Sequence, residues 1–326
     1  MDPFAPARLG PVTLRNRIIK SATFEGMTPD DLVTDELVDF HVEVGRGGAG
    51  MTTVAYCAVA PEGRTQAGEL YWRPEALPGL QRLTEAVHAT GAKISAQIGH
   101  AGPVASSRST GLPSISASRR FNALGMGFDK AATCEDIARI VTAHAEAAAW
   151  AREVGFDAVE VHFGHNYLVG SFLSPLLNKR KDDYGGCLAN RMRFPREILH
   201  AIRERVGTGI AVIVKMNMAD GVPGGVWLDE SLPFAKTLES DGTVDAIELT
   251  GGSSLLNMMY LFRGDVPLKP MAEGFEFVAM GRAIMREPDI VSKIAADPTT
   301  RSACIHGNLC AASIFMGTYC PLRAEG

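Results

Sequence analysis

Two kinds of apolar pattern alternate along this chain. Short continuous apolar runs fall at Met51 to Val59, Ala92 to Ile98, Val154 to Val161, Ile210 to Met216 and Val244 to Leu249, with a β-branched stretch from Asn16 to Phe24 ahead of them. Runs of this length bounded by turn residues predict strands buried on both faces. Between them apolar positions recur at helical spacing. Thr34 to Gly45 reads as a helix capped by Thr34, with Glu36, Leu37, Phe40 and Val44 in register. Further helices are predicted over Leu80 to Thr90, the Ala-rich stretch Cys134 to Val154, and Asn190 to Val206, where Phe194, Ile198, Ile202 and Val206 share a face. Residues 103 to 130, rich in Ser, Pro and Gly, read as a long surface excursion.

The 326 residues, 46% of them hydrophobic, suffice for a large core. A barrel of about 250 residues or more fits as a single domain over 1–326. A net charge of −5 and a pI near 5.9 leave no basic stripe for nucleic acid. No apolar run approaches the ~20 residues of a membrane helix. Met1-Asp2-Pro3-Phe4 lacks the charged and apolar parts of a signal segment, so the expected place is the cytoplasm. Six cysteines, at 57, 134, 187, 304, 310 and 320, are too scattered for a disulfide framework.

Chemistry concentrates after the fourth strand, where His162, His165 and Tyr167 follow Val161. In a barrel of parallel strands the carboxyl ends and the loops after them form the mouth, so these three side chains are expected to meet there. Two other readings compete: a histidine pair that only satisfies loop backbone, and a metal site built on the H-x-x-H spacing, which lacks a third ligand nearby. Lys215, inside a Val and Ile run, is costly to bury unless a negative group meets it, and a desolvated amine is also a candidate Schiff-base nucleophile. Gln97 carries a primary amide, which both donates and accepts. His100, beside two glycines, is read as closing a turn, and Cys57 as a buried apolar residue.

The run VEVHFGHNYLVGSFLSPLLNKRKDDYGG, continued through Asn190-Arg191 and Arg193-Phe194, resembles the corresponding segment of the Old Yellow Enzyme family of flavin-dependent ene-reductases. The opening Asn16-Arg17 to Thr23 stretch, Pro61-Glu62-Gly63-Arg64, Gln97 to Gly102 and Phe277 to Arg282 resemble other segments of that family. The resemblance implies a (β/α)8 TIM barrel that binds FMN and takes hydride from NAD(P)H. The hydride would then reduce an electron-poor alkene, the C=C bond of an α,β-unsaturated carbonyl compound. It places Ser21, Ala22, Thr23, Tyr56, Gln97 and Lys215 at the flavin and Gly281 and Arg282 at its phosphate. His162 and His165 would hold the substrate carbonyl, and Tyr167 would protonate the α carbon. Ala22 stands where proline is frequent and Phe24 where threonine or cysteine is common, so whether Thr23 or Phe24 faces the ring stays open. A homo-oligomer is compatible with the family.

The pattern breaks between Arg263 and Ala272. No seventh strand, following helix or Gly-Gly phosphate loop is found there, a shortfall of roughly 60 residues that eight-strand closure tolerates poorly. The matching sequence on both sides favours two parts of one barrel joined across an absent segment over a true deletion. In the tail, Cys304, Cys310 and Cys320 fall in the region where larger relatives carry a four-cysteine iron–sulfur site, with Gly307 where a further cysteine would complete the motif.

Overall fold

The computed structural model describes residues 1–123, 125–257, 271, 274–305, 307, 309–310 and 318–323. Its framework is a seven-stranded parallel sheet of β1 (Ile18–Lys20), β2 (Met51–Ala58), β3 (Lys93–Gly99), β4 (Ala158–His162), β5 (Ala211–Asn217), β6 (Ala246–Thr250) and β7 (Val278–Met280). The spatial order β6-β5-β4-β3-β2-β1-β7 carries each strand to its sequence neighbour and brings the last back beside the first. That order and pairing, with helices on the outer face, are those of the TIM barrel. Stretch 264–272, which the sequence leaves without a seventh strand, lies outside the described residues apart from Met271.

Every residue of β2, β4 and β5 is buried, which is why these strands read as unbroken apolar runs. Helices α1 (Asp35–Arg46), α2 (Leu77–His88), α3 (Cys134–Glu153), α4 (Arg193–Val206), α5 (Leu228–Asp241) and α6 (Ile290–Ala296) are amphipathic or apolar on the side that meets the core cluster. Thr34 caps α1 by accepting the Leu37 N–H, and Thr133 with Asp136 forms a capping box on α3. An N-terminal hairpin of Ala7–Leu9 and Val12–Leu14 packs Leu9 and Leu14 with Ile19, Met51, Ala158, Ala211 and Ile213. Those residues all lie near the amino ends of their strands, so the hairpin plugs the lower barrel.

Three expectations change. The first strand is only Ile18–Lys20, and Ser21, whose N–H donates to Met280 O of β7 at 2.9 Å, makes its last tie to the sheet. The excursion after β3 is folded rather than merely solvated. Ile115–Ser116, Arg120–Asn122 and Gly127–Ala131 form a small sheet, and buried Asp129 accepts from Ser114 Oγ at 2.5 Å and Asn122 Nδ2 at 2.6 Å. The helix read over 190–206 is two pieces, Leu188–Arg191 and α4, which still buries Phe194, Ile198, Ile202 and Val206 together.

Candidate active site

Strand register decides which side chains share the barrel interior. Gln97 lies opposite Glu160, and Lys215 opposite both His162 and Glu248. With a side-chain period of two, Glu160 and His162 face the same way, so all five point inward at successive heights. His162 occupies the last position of β4, and Gly164 begins the loop that carries His165 and Tyr167.

That loop is held open by a specific clamp. His165 and Asn166 adopt left-handed backbone, φ 59° and 57°, a region in which His and Asn are enriched among non-glycine residues. Asn217 Oδ1 accepts the His165 N–H at 3.0 Å, while Asn217 Nδ2 donates to Asp220 at 2.8 Å and to Gly252 O at 2.7 Å. Asn166 Nδ2 donates to the other Asp220 oxygen at 3.2 Å. The turn after β3 closes against the same loop. His100 Nδ1 accepts the Gly102 N–H at 3.0 Å, the turn-closing part read from its glycines. Gly102 is itself left-handed, φ 59°, and a Cβ there would stand 2.5 Å from Leu168 Cα.

The result is a cluster of four rings at the mouth. His162 and Tyr167 pack edge to face with centroids 4.5 Å apart, His162 and His165 are 4.9 Å apart, and Tyr167 and Tyr56 are 5.6 Å apart. Ala22 and Phe24 pack against the Tyr56 side of this cluster, while the Thr23 hydroxyl turns back to Ser21 O at 3.1 Å. Burial drives all four rings to their neutral forms. It holds the His162 imidazole well below its ordinary value and His165 at about 3, with the Lys215 charge adding to both. It also raises both phenols, with Glu69 nearby reinforcing the effect. His165 Nε2 shares a hydrogen bond with Thr250 Oγ1 at 3.0 Å. His162 Nδ1 is buried and has no partner among the described residues.

Beneath the rings lies a charged layer. Lys215 Nζ donates to Glu248 at 2.5 Å and to Ser21 Oγ at 3.0 Å, and stands 3.8 Å from Glu160. Ser21 Oγ in turn donates to Glu248 at 2.8 Å, and Gln97 Nε2 donates to Glu160 at 2.5 Å. Burial alone would lower the Lys215 ammonium, yet Glu248 and Glu160 outweigh it and hold the group above its ordinary value. A permanently charged, paired lysine is a poor Schiff-base nucleophile. No group of three or more His, Cys, Asp or Glu placed to hold a metal occurs among the described residues. Cys57 is fully buried in β2, with its thiol pushed up by burial.

Ser21, Ala22, Thr23, Tyr56, Gln97, Lys215, His162, His165 and Tyr167 therefore share one end of the barrel. Gly281 joins them from the other side: a Cβ there would lie 3.6 Å from Thr23 Oγ1. Arg282 opens the short helix that follows β7. By contrast, the conspicuous polar residues of the SPLLNKRKDDYGG stretch and of Asn190-Arg191 after it serve to fold the loop. Asn178 Nδ2 donates to Phe172 O and Tyr184 O, both at 2.8 Å, and Arg191 pairs with Glu230 on α5. Sequence reasoning missed Glu160 and Glu248. The signal that marks Lys215, a charge inside an apolar strand, marks them equally.

A sequence profile of the NADH:flavin oxidoreductase / NADH oxidase family matches residues 2–247. The chain belongs to that family. It is similar to the 4,4'-dithiodibutanoate disulfide reductase of Rhodococcus erythropolis, 46% identical over 381 positions that cover 98% of this chain and 94% of the relative. It is also similar to the NADPH dehydrogenase of Listeria monocytogenes, 35% identical over 254 positions, covering 76% of this chain and 73% of the relative. The structure of an Old Yellow Enzyme homologue from Zymomonas mobilis superposes with a TM-score of 0.79 at 21% identity, over 92% of this chain and 94% of that one. This flavin oxidoreductase is thus an NAD(P)H-dependent enzyme with the fold of the Old Yellow Enzyme homologue. The Rhodococcus alignment spans 381 positions against the 326 residues of this sequence, so the relative carries residues with no counterpart in it. The profile match, moreover, ends shortly before the break.

Proposed function

We propose that the barrel mouth binds FMN and uses hydride from NAD(P)H to reduce the C=C bond of an α,β-unsaturated carbonyl compound. The observation that carries this reading is the buried His162 Nδ1, without a partner among the described residues, on a ring 4.5 Å from the Tyr167 phenol ring. The residues present suit the cofactor. Small side chains at Ser21, Ala22 and Thr23 let a flat ring approach the strand ends, Gln97 keeps amide capacity beyond its bond to Glu160, and Lys215 sets a cation at the pyrimidine edge. Gly281 and Arg282 would hold the phosphate. Bound FMN supplies two-electron chemistry between nicotinamide and substrate.

The chain's own part is electrostatic and positional. His162 and His165, both neutral, hold the carbonyl oxygen by hydrogen bonds that strengthen as negative charge builds there. Tyr167, also neutral, gives its hydroxyl proton to the α carbon. Burial excludes water from that proton's path, and Tyr56 packs against Tyr167 to fix the phenol.

The identity with the Rhodococcus disulfide reductase over nearly the whole chain favours a second reading, in which the same mouth reduces a disulfide carrying carboxylate ends. The two differ in what the proton does. A carbanion must be protonated, whereas a thiolate is already a stable product near neutral pH. Reduced protein should be reoxidised by 2-cyclohexenone in wild type and far more slowly in Tyr167→Phe. Reoxidation by 4,4'-dithiodibutanoate that is fast and indifferent to the substitution would replace the alkene reading with the disulfide one.

A further inference from the structure

The charged layer beneath the rings contains an imbalance. Glu160 on β4 and Glu248 on β6 flank Lys215 on β5, and their relative exposures of 1%, 16% and 6% place all three side chains largely out of water. Among the described residues the groups hydrogen-bonded to them are Gln97 from β3 and Ser21 from the end of β1, both uncharged. His162 and His165 above are neutral. Across the β1 wall lies Lys20, felt weakly by Glu160, but that ammonium is itself paired with Glu25 against α1 and bonds Thr53 O at 3.0 Å. Two carboxyls therefore share one ammonium. Ionising both would leave an uncompensated buried charge, which costs several kcal/mol in such settings, so a proton remains.

We infer that Glu160 and Glu248 share a single proton at neutral pH. Hydrogen bonding fits one arrangement. Glu248 is the ionised member because it accepts from both Lys215 and Ser21, and Glu160 is the acid because it accepts from Gln97 and stands farther, 3.8 Å, from the ammonium. The titration tendencies agree: burial raises Glu160, whereas for Glu248 burial is outweighed by the Lys215 charge together with the hydrogen bonds it accepts, which lower it.

Infrared spectroscopy of the flavin-free chain tests this. At pH 7 the C=O band of unionised carboxyl should contain a component that Glu160→Gln and Glu248→Gln each abolish. Glu69→Gln, which removes a further fully buried acid that burial raises, should abolish a different component. Loss of the same component on removing either partner is expected of a shared proton and not of two independent acids. A wild-type spectrum without it, or one in which it survives Glu160→Gln, overturns the pairing. Should a variant fail to fold, the wild-type band still decides, because the component must be present at pH 7 and must disappear as the pH is raised while the protein stays folded.

Discussion

The mouth of the barrel and the layer beneath it are equally deep in the protein, yet they answer burial in opposite ways. Tyr56, His162, His165 and Tyr167 have no strong counter-charges, so desolvation drives each to its neutral form. Lys215 and Glu248 have each other, so they stay ionised in the same surroundings. Burial thus sets the cost of charge, and partners decide whether charge survives. The division suits the chemistry: neutral donors for an oxygen that gains charge, and a fixed cation beside the site proposed for the flavin pyrimidine.

Removing the cation breaks the comparison most severely. Lys215→Met leaves Glu248 and Glu160 without their ammonium and should cost about 3–5 kcal/mol of stability, the range for breaking a buried pair. Denaturant unfolding would show it, and a loss under 1 kcal/mol would mean that the layer is hydrated and its pairing weak. Next in size, Tyr167→Phe should slow enone reduction by about 10²- to 10⁴-fold while leaving flavin reduction by NAD(P)H intact. Stopped-flow measurement of the two half-reactions separates these, and equal loss in both would remove Tyr167 from the proton-donor role.

How far the sequence revealed this division depends on the residue. The strands announced themselves because burial on both faces demands continuous apolar runs, and Thr34 announced α1 through its cap. The N-terminal hairpin did not, since two three-residue strands leave no period to read. Helix α5 was missed as well: Pro233 interrupts its pattern, and only Gly242, left-handed at φ 63° after its last turn, marks its end. At the site, His162, His165 and Tyr167 were legible because reactive side chains cluster within six residues. The clamp of Asn217 and Asp220 on His165 and Asn166 spans distant segments, and only the parallel register of β4 and β5 brings them together. Glu160 and Glu248 needed the same register to become partners of Lys215.

A smaller effect sharpens the contrast through pH. In the unfolded chain histidine titrates near 6.5, whereas folded His165 titrates at about 3. Between those values the unfolded state binds more protons, so its share of stability is present above 6.5 and lost on acidification towards 3. Glu160 runs the other way. Burial raises its folded value above the ordinary 4.5, so its contribution is present below 4.5 and lost as pH rises through that higher value. Unfolding midpoints plotted against pH should form a dome, its acid limb flattened by His165→Gln and its alkaline limb by Glu160→Gln. A single variant that flattened both limbs would show that the two layers titrate as one. Smallest of all, His100→Ala loses one turn-closing hydrogen bond and should cost about 1 kcal/mol with little change in either half-reaction.

The most direct measurement is the visible spectrum of the purified protein under anaerobic conditions, followed through addition of NAD(P)H and then of 2-cyclohexenone. Flavin bands that bleach with the nicotinamide and return with the enone are the predicted result, with the return slowed in Tyr167→Phe. A protein that stays colourless after incubation with FMN, or whose reduced flavin the enone leaves bleached, would contradict the account.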